Sequence, residues 1–379
     1  MDLNYSEIQE MLKDSVERFV RDNYAFEQRR QIVESGQGFS RQHWQTYAEL
    51  GWLGAALPED VGGLGGGGAE TMVVMEGLGR GLALEPMLGA VVLGGGLINA
   101  AGNEAQRREL LPALIGGELL LSFAFAEPGG RFDLSHTETR AEAAGGGWRL
   151  SGRKCVVLHG AAADRFIVPA RTSGEVRDAA GITLFLVAND SAGLTRRDYA
   201  TVDALPASDL TFDGLELAAE DVLGEVGGAY PHIEGAIDAG IAASCADAVG
   251  AMAAAVDITN EYIQGREQFG QSIGRFQVLQ HRLVDMFMEC ERARSMAVMA
   301  ALKLDTEADE RRRAMAAAKS LVGRAAKFVA AQGVQLHGGM GMTEEYPIGH
   351  YFKRLMTFDT MFGNSDYHAD RFVAQGDQS

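Results

Sequence analysis

At 379 residues, 46% hydrophobic and 23% charged, the chain is long enough for more than one packed domain and has an ordinary globular composition. A net charge of −18 argues against a general grip on nucleic-acid phosphates, and no uninterrupted run reaches the roughly 18 apolar residues of a membrane helix. Cys155, Cys245 and Cys290 are widely spaced with no CxxC, which speaks against a disulfide framework and against a metal site.

The N-terminus, MDLNYSEIQEMLKDSVERF, reads as an acidic amphipathic helix with Ile8, Met11, Leu12, Val16, Phe19 and Val20 on one face. It has neither the basic-then-apolar order of a signal sequence nor the Arg-rich character of a transit peptide, so a cytoplasmic location is expected. Helical periodicity broken by turns continues to about residue 118, giving an N-terminal all-α domain over 1–118. Within it, LPEDVGGLGGGG at 57–68 lacks the GK[ST] ending of a phosphate loop and is expected to be an inter-helix turn.

From Leu119 short β-rich runs follow one another between Gly, Asp and Asn turns, as in HTETRAEAAGGGWRLSGRKCVVLHG and GITLFLVAND. They predict an antiparallel β-domain, sandwich or barrel, over 119–224. After Val222 long Ala-, Met- and Leu-rich helical stretches are expected at about 232–268, 276–304 and 309–337, with a shorter one near 345–360. They predict a C-terminal four-helix bundle domain over 225–379, and the fold class is α+β.

Two C-terminal stretches are the most distinctive: GREQFGQSIGRFQVLQHRLVDM at 265–286 and QLHGGMGMTEEYPIGHYFKR at 335–354. With LPEDVGG, LLPALIGGE, AEPGG and IDAG in order before them, the whole chain resembles the acyl-CoA dehydrogenase family. That resemblance implies FAD as cofactor, an acyl-CoA substrate and α,β-dehydrogenation. The site must polarise the thioester oxygen, hold a carboxylate at the Cα proton and set the flavin against Cβ.

In the family the FAD site spans a subunit interface, so its residues divide into two groups. For the pyrophosphate and adenine the resemblance points to Arg266, Gln268, Phe269, Phe276, Gln277, Gln335, Leu336, Gly338 and Gly339. An Arg suits a pyrophosphate, and paired glycines let amides come close. Against the flavin ring the family has Tyr-x-x-Thr-Glu-Pro-Gly and Trp-Ile-Thr, where this chain has Phe123, Ala126, Glu127, Pro128 and Gly129, and then Val156, Val157 and Leu158. Two hydroxyls and an aromatic wall are gone, leaving backbone amides as the remaining means of holding a ring.

The base position aligns with Gly363, in Phe362, Gly363, Asn364 and Ser365 where the family has Tyr-Glu-Gly-Thr. The alternative base position, on the first long helix, is Gly240, followed by Ile241. No catalytic residue is therefore assigned. Asp238 matches a substrate-side contact, and Asp359, Asp366 and Asp370 surround the terminal turn, with Asp366 either a relocated base or a helix cap. His159 and His368 titrate in the useful range but read as core or solvated histidines.

Kept phosphate residues beside eroded ring and base positions resemble the degenerate small subunit of pimeloyl-CoA dehydrogenase-type hetero-oligomers. The implied partner is a paralogous subunit carrying the catalytic Glu, in a tetramer acting on a fatty, dicarboxylic or steroid acyl-CoA. A competent homotetramer with a relocated base, or a purely structural subunit, are the alternatives.

Overall fold

The computed structural model describes residues 5–376. The chain folds as helices, then a sheet, then helices, in the order read from the sequence. By contacts it divides into two compact units that do not follow chain order: residues 1–34, 68–83 and 241–379 form one, and residues 35–67 and 84–240 the other.

The first unit is helical apart from one short hairpin. It contains α1 (Glu7–Asn23), α2 (Phe26–Glu34), α4 (Gly68–Arg80), most of α7 (Tyr230–Gly265), α8 (Gln277–Lys303), α9 (Ala308–His337), α10 (Pro347–Thr360) and α11 (Ser365–Gly376). Ser6 and Gln9 form a capping box that starts α1. Leu12, Val16 and Phe19 of its apolar face are buried, whereas Ile8 and Met11, expected on the same face, are exposed. Helices α4 and α7 cross at bare backbone: a Cβ on Gly79 would lie 2.0 Å from the Asp247 carbonyl oxygen, and one on Gly250 1.9 Å from that of Glu76. Helix α7 has an 18-residue window of mean hydropathy 1.6, but 83% of that window is buried, as in the central helix of a bundle.

The second unit carries α3 (Arg41–Glu49), α5 (Gly96–Ala101), α6 (Glu104–Ile115) and an eight-stranded sheet. Its strands are β1 (Leu121–Phe123), β2 (Arg140–Ala144), β3 (Gly147–Leu158), β4 (Arg165–Arg171), β5 (Ile182–Ala188), β6 (Leu194–Ala200), β7 (Pro206–Leu217) and β8 (Val222–Leu223). The order is β6-β7-β3-β2-β4-β5-β8, with β1 parallel to β4 and most other pairs antiparallel. Trp148 of β3 meets Phe185 of β5 edge-on at 5.6 Å although the strands are not neighbours, so the sheet curls around one core of Leu150, Phe166, Phe185 and Leu210. The glycine-rich 57–68 segment is the expected connection, a single 3₁₀ turn and bends leading into α4.

Candidate functional site

The two distinctive C-terminal motifs meet on the helical unit. After α7 the chain makes a short hairpin, β9 (Glu267–Gln268) and β10 (Gln271–Ser272), around the two-residue turn Phe269–Gly270. That turn lifts Phe269 to 90% exposure, with its ring edge-on to the half-buried Phe276 at 6.1 Å. Arg266, Gln268 and Gln277 are exposed, and among the described residues Arg266 has no carboxylate partner. Helix α9 ends at His337, and Gly338 follows at φ 57°, ψ −134°, a conformation reserved for glycine. Gln335, Gly338 and Gly339 are exposed, while Leu336 is buried and anchors the turn. A Cβ on Gly338 or Gly339 would meet nothing within 4 Å, so the backbone there is open to a group from outside the chain. An unpaired guanidinium, exposed side-chain amides and an uncovered Gly-Gly turn fit the anionic phosphates of a dinucleotide.

The loops expected against the flavin ring are well ordered but turned inward. Glu127 and Lys154 form an ion pair at 2.7 Å with side chains 2% and 0% exposed. Glu127 also accepts the amides of Glu138 at 2.5 Å and Thr139 at 3.1 Å. Burial opposes its ionisation, yet Lys154 and these donors outweigh it and hold the carboxyl below its ordinary range. The Cys155 amide donates to the Ala126 carbonyl at 2.9 Å, so both loops are tied together.

Val156 sits at φ 52°, a rare state for a β-branched residue, with its side chain about half exposed. Its amide donates to Asp209 Oδ1 at 3.2 Å, and Asp209 is held in turn by Arg197 at 2.5 Å and Tyr199 at 2.9 Å. The His159 amide goes to the Pro206 carbonyl at 2.8 Å. The amides of Cys155, Val156 and His159 are thus committed within the chain, and neither Ala126 nor Leu158 offers the side-chain hydroxyl that the family's Thr residues bring to the ring. His136, Glu138 and Glu127 bring potential ligand atoms within 4.8 Å of one another, but Glu127 is already engaged by Lys154.

At the base position Gly363 is buried at φ 103°. A Cβ there would lie 2.6 Å from the Tyr367 ring and 2.7 Å from His368 Nε2, so side-chain space is closed. Lys319, fully buried on α9, donates to the carbonyls of Phe358 (2.8 Å), Asp359 (3.1 Å) and Gly363 (3.0 Å). Burial pushes its pKa down to about 8. His368 is fully buried with Nε2 2.9 Å from the Phe362 carbonyl, and burial pushes its pKa down to about 4.

The nearby acids have separate surroundings. Asp359 pairs with Lys327 at 3.0 Å and accepts the Ser365 amide at 3.1 Å, capping α11. Asp366 lies exposed in the first turn of α11, Asp370 is exposed further along it, and Asp238 is fully enclosed on the N-terminal part of α7. Gly240 and Ile241 are buried. His159 is buried with Nε2 2.7 Å from the Leu84 carbonyl. The sequence singled out Arg266, the 335–339 turn and a glycine at 363; it did not reveal Lys319, Asp209 or the Glu127–Lys154 pair as organisers of these turns.

A helical unit carrying an exposed Arg266 and an uncovered Gly338–Gly339 turn, together with a unit built on a curled β-sheet, is the class of protein to which the comparisons give a family. Matches to the acyl-CoA dehydrogenase N-terminal domain over residues 6–118, the middle domain over 122–215 and the C-terminal domain over 231–376 make the chain a member of the acyl-CoA dehydrogenase family. That family consists of FAD-dependent oxidoreductases.

The chain is 31% identical over 308 residues to the probable acyl-CoA dehydrogenase FadE25 of Mycobacterium tuberculosis, covering 80% of this chain and 79% of that protein. It is 30% identical over 376 residues to mitochondrial isovaleryl-CoA dehydrogenase of Pongo abelii, covering 95% and 86%. Among solved structures it is similar to a variant of the steroid ACAD Tcur3481-Tcur3483, with TM-score 0.88, 30% identity and 98% and 99% coverage. It is also similar to a chain of the ChsE4-ChsE5 complex from Mycobacterium tuberculosis, with TM-score 0.90, 26% identity and full coverage of both chains.

Proposed function

We propose that this chain is the base-lacking subunit of a hetero-oligomeric acyl-CoA dehydrogenase, holding the ADP half of an FAD whose ring and catalytic Glu belong to a paralogous partner. The observation that carries this reading is Gly363. Its left-handed backbone and the Tyr367 and His368 atoms within 2.7 Å of a Cβ leave no room for a carboxylate. When bound, FAD supplies the hydride acceptor for Cβ. This chain's part is to bind its phosphates through Arg266, the Gly338–Gly339 amides and the Gln277 and Gln335 side chains.

The similarity to Tcur3481-Tcur3483 and to the ChsE4-ChsE5 complex supports two unlike subunits, and the first name supports a steroid thioester within the bulky acyl-CoA class. The test is anaerobic stopped-flow with saturated acyl-CoAs. The chain alone should not reduce flavin, and the complex with its paralogue should. Rapid flavin reduction by the chain alone overturns the reading; if Asp366→Asn then abolished it, the relocated base would be identified.

A further inference from the structure

We propose that His337 is the positioning residue of the phosphate site, its ring stacked on Tyr262 so as to set Arg266 against the Gly338–Gly339 amides. This rests on the reading that these residues hold the ADP half of FAD, and it assigns what keeps the two motifs in register. His337 is the last residue of α9 and is 2% exposed. Its Nδ1 lies 2.7 Å from the Gly333 carbonyl, a bond that requires the proton on Nδ1. Burial pushes its pKa below the ordinary value, so the ring is neutral and its lone pair sits on Nε2. Nε2 has no hydrogen-bond partner among the described residues, so no contact of that nitrogen explains an imidazole here.

What the ring does is stack. Its centroid is 4.3 Å from that of Tyr262 at 30°, and Tyr346 closes on both rings at 5.1 and 5.8 Å. The Tyr262 carbonyl accepts the Arg266 amide at 2.9 Å, while His337 directly precedes the strained Gly338. One aromatic contact thus joins the last turn of α7, which carries the cation, to the last turn of α9, which carries the glycine amides. The bond from Arg282 to Gln332 at 3.1 Å is exposed, lies more than a turn from the glycines and joins α8, not α7, to α9. A phosphate bound by a guanidinium and by amides needs both at a fixed separation, and a stacked ring pair with one member buried is stiffer than a solvated polar contact.

The experiment titrates FAD and ADP against the full chain by calorimetry, for the wild type, His337→Leu, Tyr262→Leu, the double variant and His337→Phe, and records each unfolding midpoint without ligand. The Leu variants keep apolar volume but remove the stack, and each should weaken both ligands roughly tenfold. The double variant should be no weaker than the worse single, because both remove one contact. His337→Phe, which keeps a flat ring, should bind within about twofold of wild type.

Unchanged affinity in both Leu variants, or as great a loss in His337→Phe, overturns the assignment. So does a lowered midpoint with unchanged affinity, the signature of a ring that serves only the fold. A wild-type chain that binds neither FAD nor ADP overturns the half-site reading itself, and with it this inference.

Discussion

Gly363 is where one residue decides the most. Adding a Cβ at φ 103° against Tyr367 and His368 combines backbone strain with overlap, so Gly363→Ala should destabilise by about 2–4 kcal/mol in denaturant unfolding. Gly363→Glu should gain no flavin reduction, because the carboxylate has nowhere to go; recovered activity in that variant would show that the turn yields easily. His368 next to it gives a pH signature. Its folded pKa of about 4 lies below the ordinary 6.5, so between these values the unfolded chain binds a proton that the folded chain refuses. Stability is therefore fully present above about pH 6.5 and falls as pH drops towards 4, by on the order of 3 kcal/mol from this group. His368→Gln should flatten that part of the acid limb, measured as unfolding free energy against pH. The glycine where the family has its Glu was legible because it is a matter of identity at one position. That the position is sterically closed was not, since it depends on a backbone angle and on residues four and five places further along.

Between elements, the determinants are buried polar pairs and backbone crossings. Glu127 and Lys154 are 27 residues apart and each looks like an ordinary surface charge in sequence. Folded, they pin the turn after β1 to strand β3 with almost no exposure, and Glu127 also accepts two amides. Lys154→Met alone should cost about 3–5 kcal/mol, since it leaves an uncompensated carboxylate. Pairing it with Glu127→Gln should recover a substantial part, and equal losses for single and double variants would show that the pair is not energetically coupled. At the crossing of α4 and α7, Gly79→Ala should be among the most damaging single-methyl changes, because its Cβ would meet a carbonyl oxygen and not a movable side chain. A loss above about 3 kcal/mol in chemical unfolding is expected. Element type and order were readable from periodicity, because helix and strand patterns alternate cleanly with Gly-rich turns. Which helices share a core was not. Residues 68–83 pack with the C-terminal helices while 84–118 belong with the sheet, and that choice rests on small-residue crossings which leave no period in the sequence.

For the whole molecule, the question is what the chain assembles with. Val284, Phe287 and Met288 form an exposed apolar patch on the first half of α8, Val278 is exposed nearer its start, and Phe269 in the preceding hairpin stands almost entirely in solvent. Such a patch, on the unit that also carries the uncovered Gly338–Gly339 turn, is expected where another subunit covers it. A homotetramer would cover the patch, yet every centre would combine glycine at position 363 with ring loops that lack the family's hydroxyls. Pairing with a Glu-carrying paralogue gives one complete flavin site per unlike pair, so the assembly should contain two copies of each chain and about half as many flavins as chains, on composite-site logic. Native mass spectrometry of the co-expressed complex, with flavin released and quantified, measures both numbers. In the same complex Arg266→Ala removes a charge-assisted contact of about 1.5–3 kcal/mol and should lower flavin occupancy without dissociating the subunits. A homotetramer with one FAD per chain and acyl-CoA turnover would reverse the assignment of roles. Full occupancy in Arg266→Ala would mean instead that the guanidinium, exposed and without a carboxylate partner among the described residues, serves something other than the cofactor's phosphates.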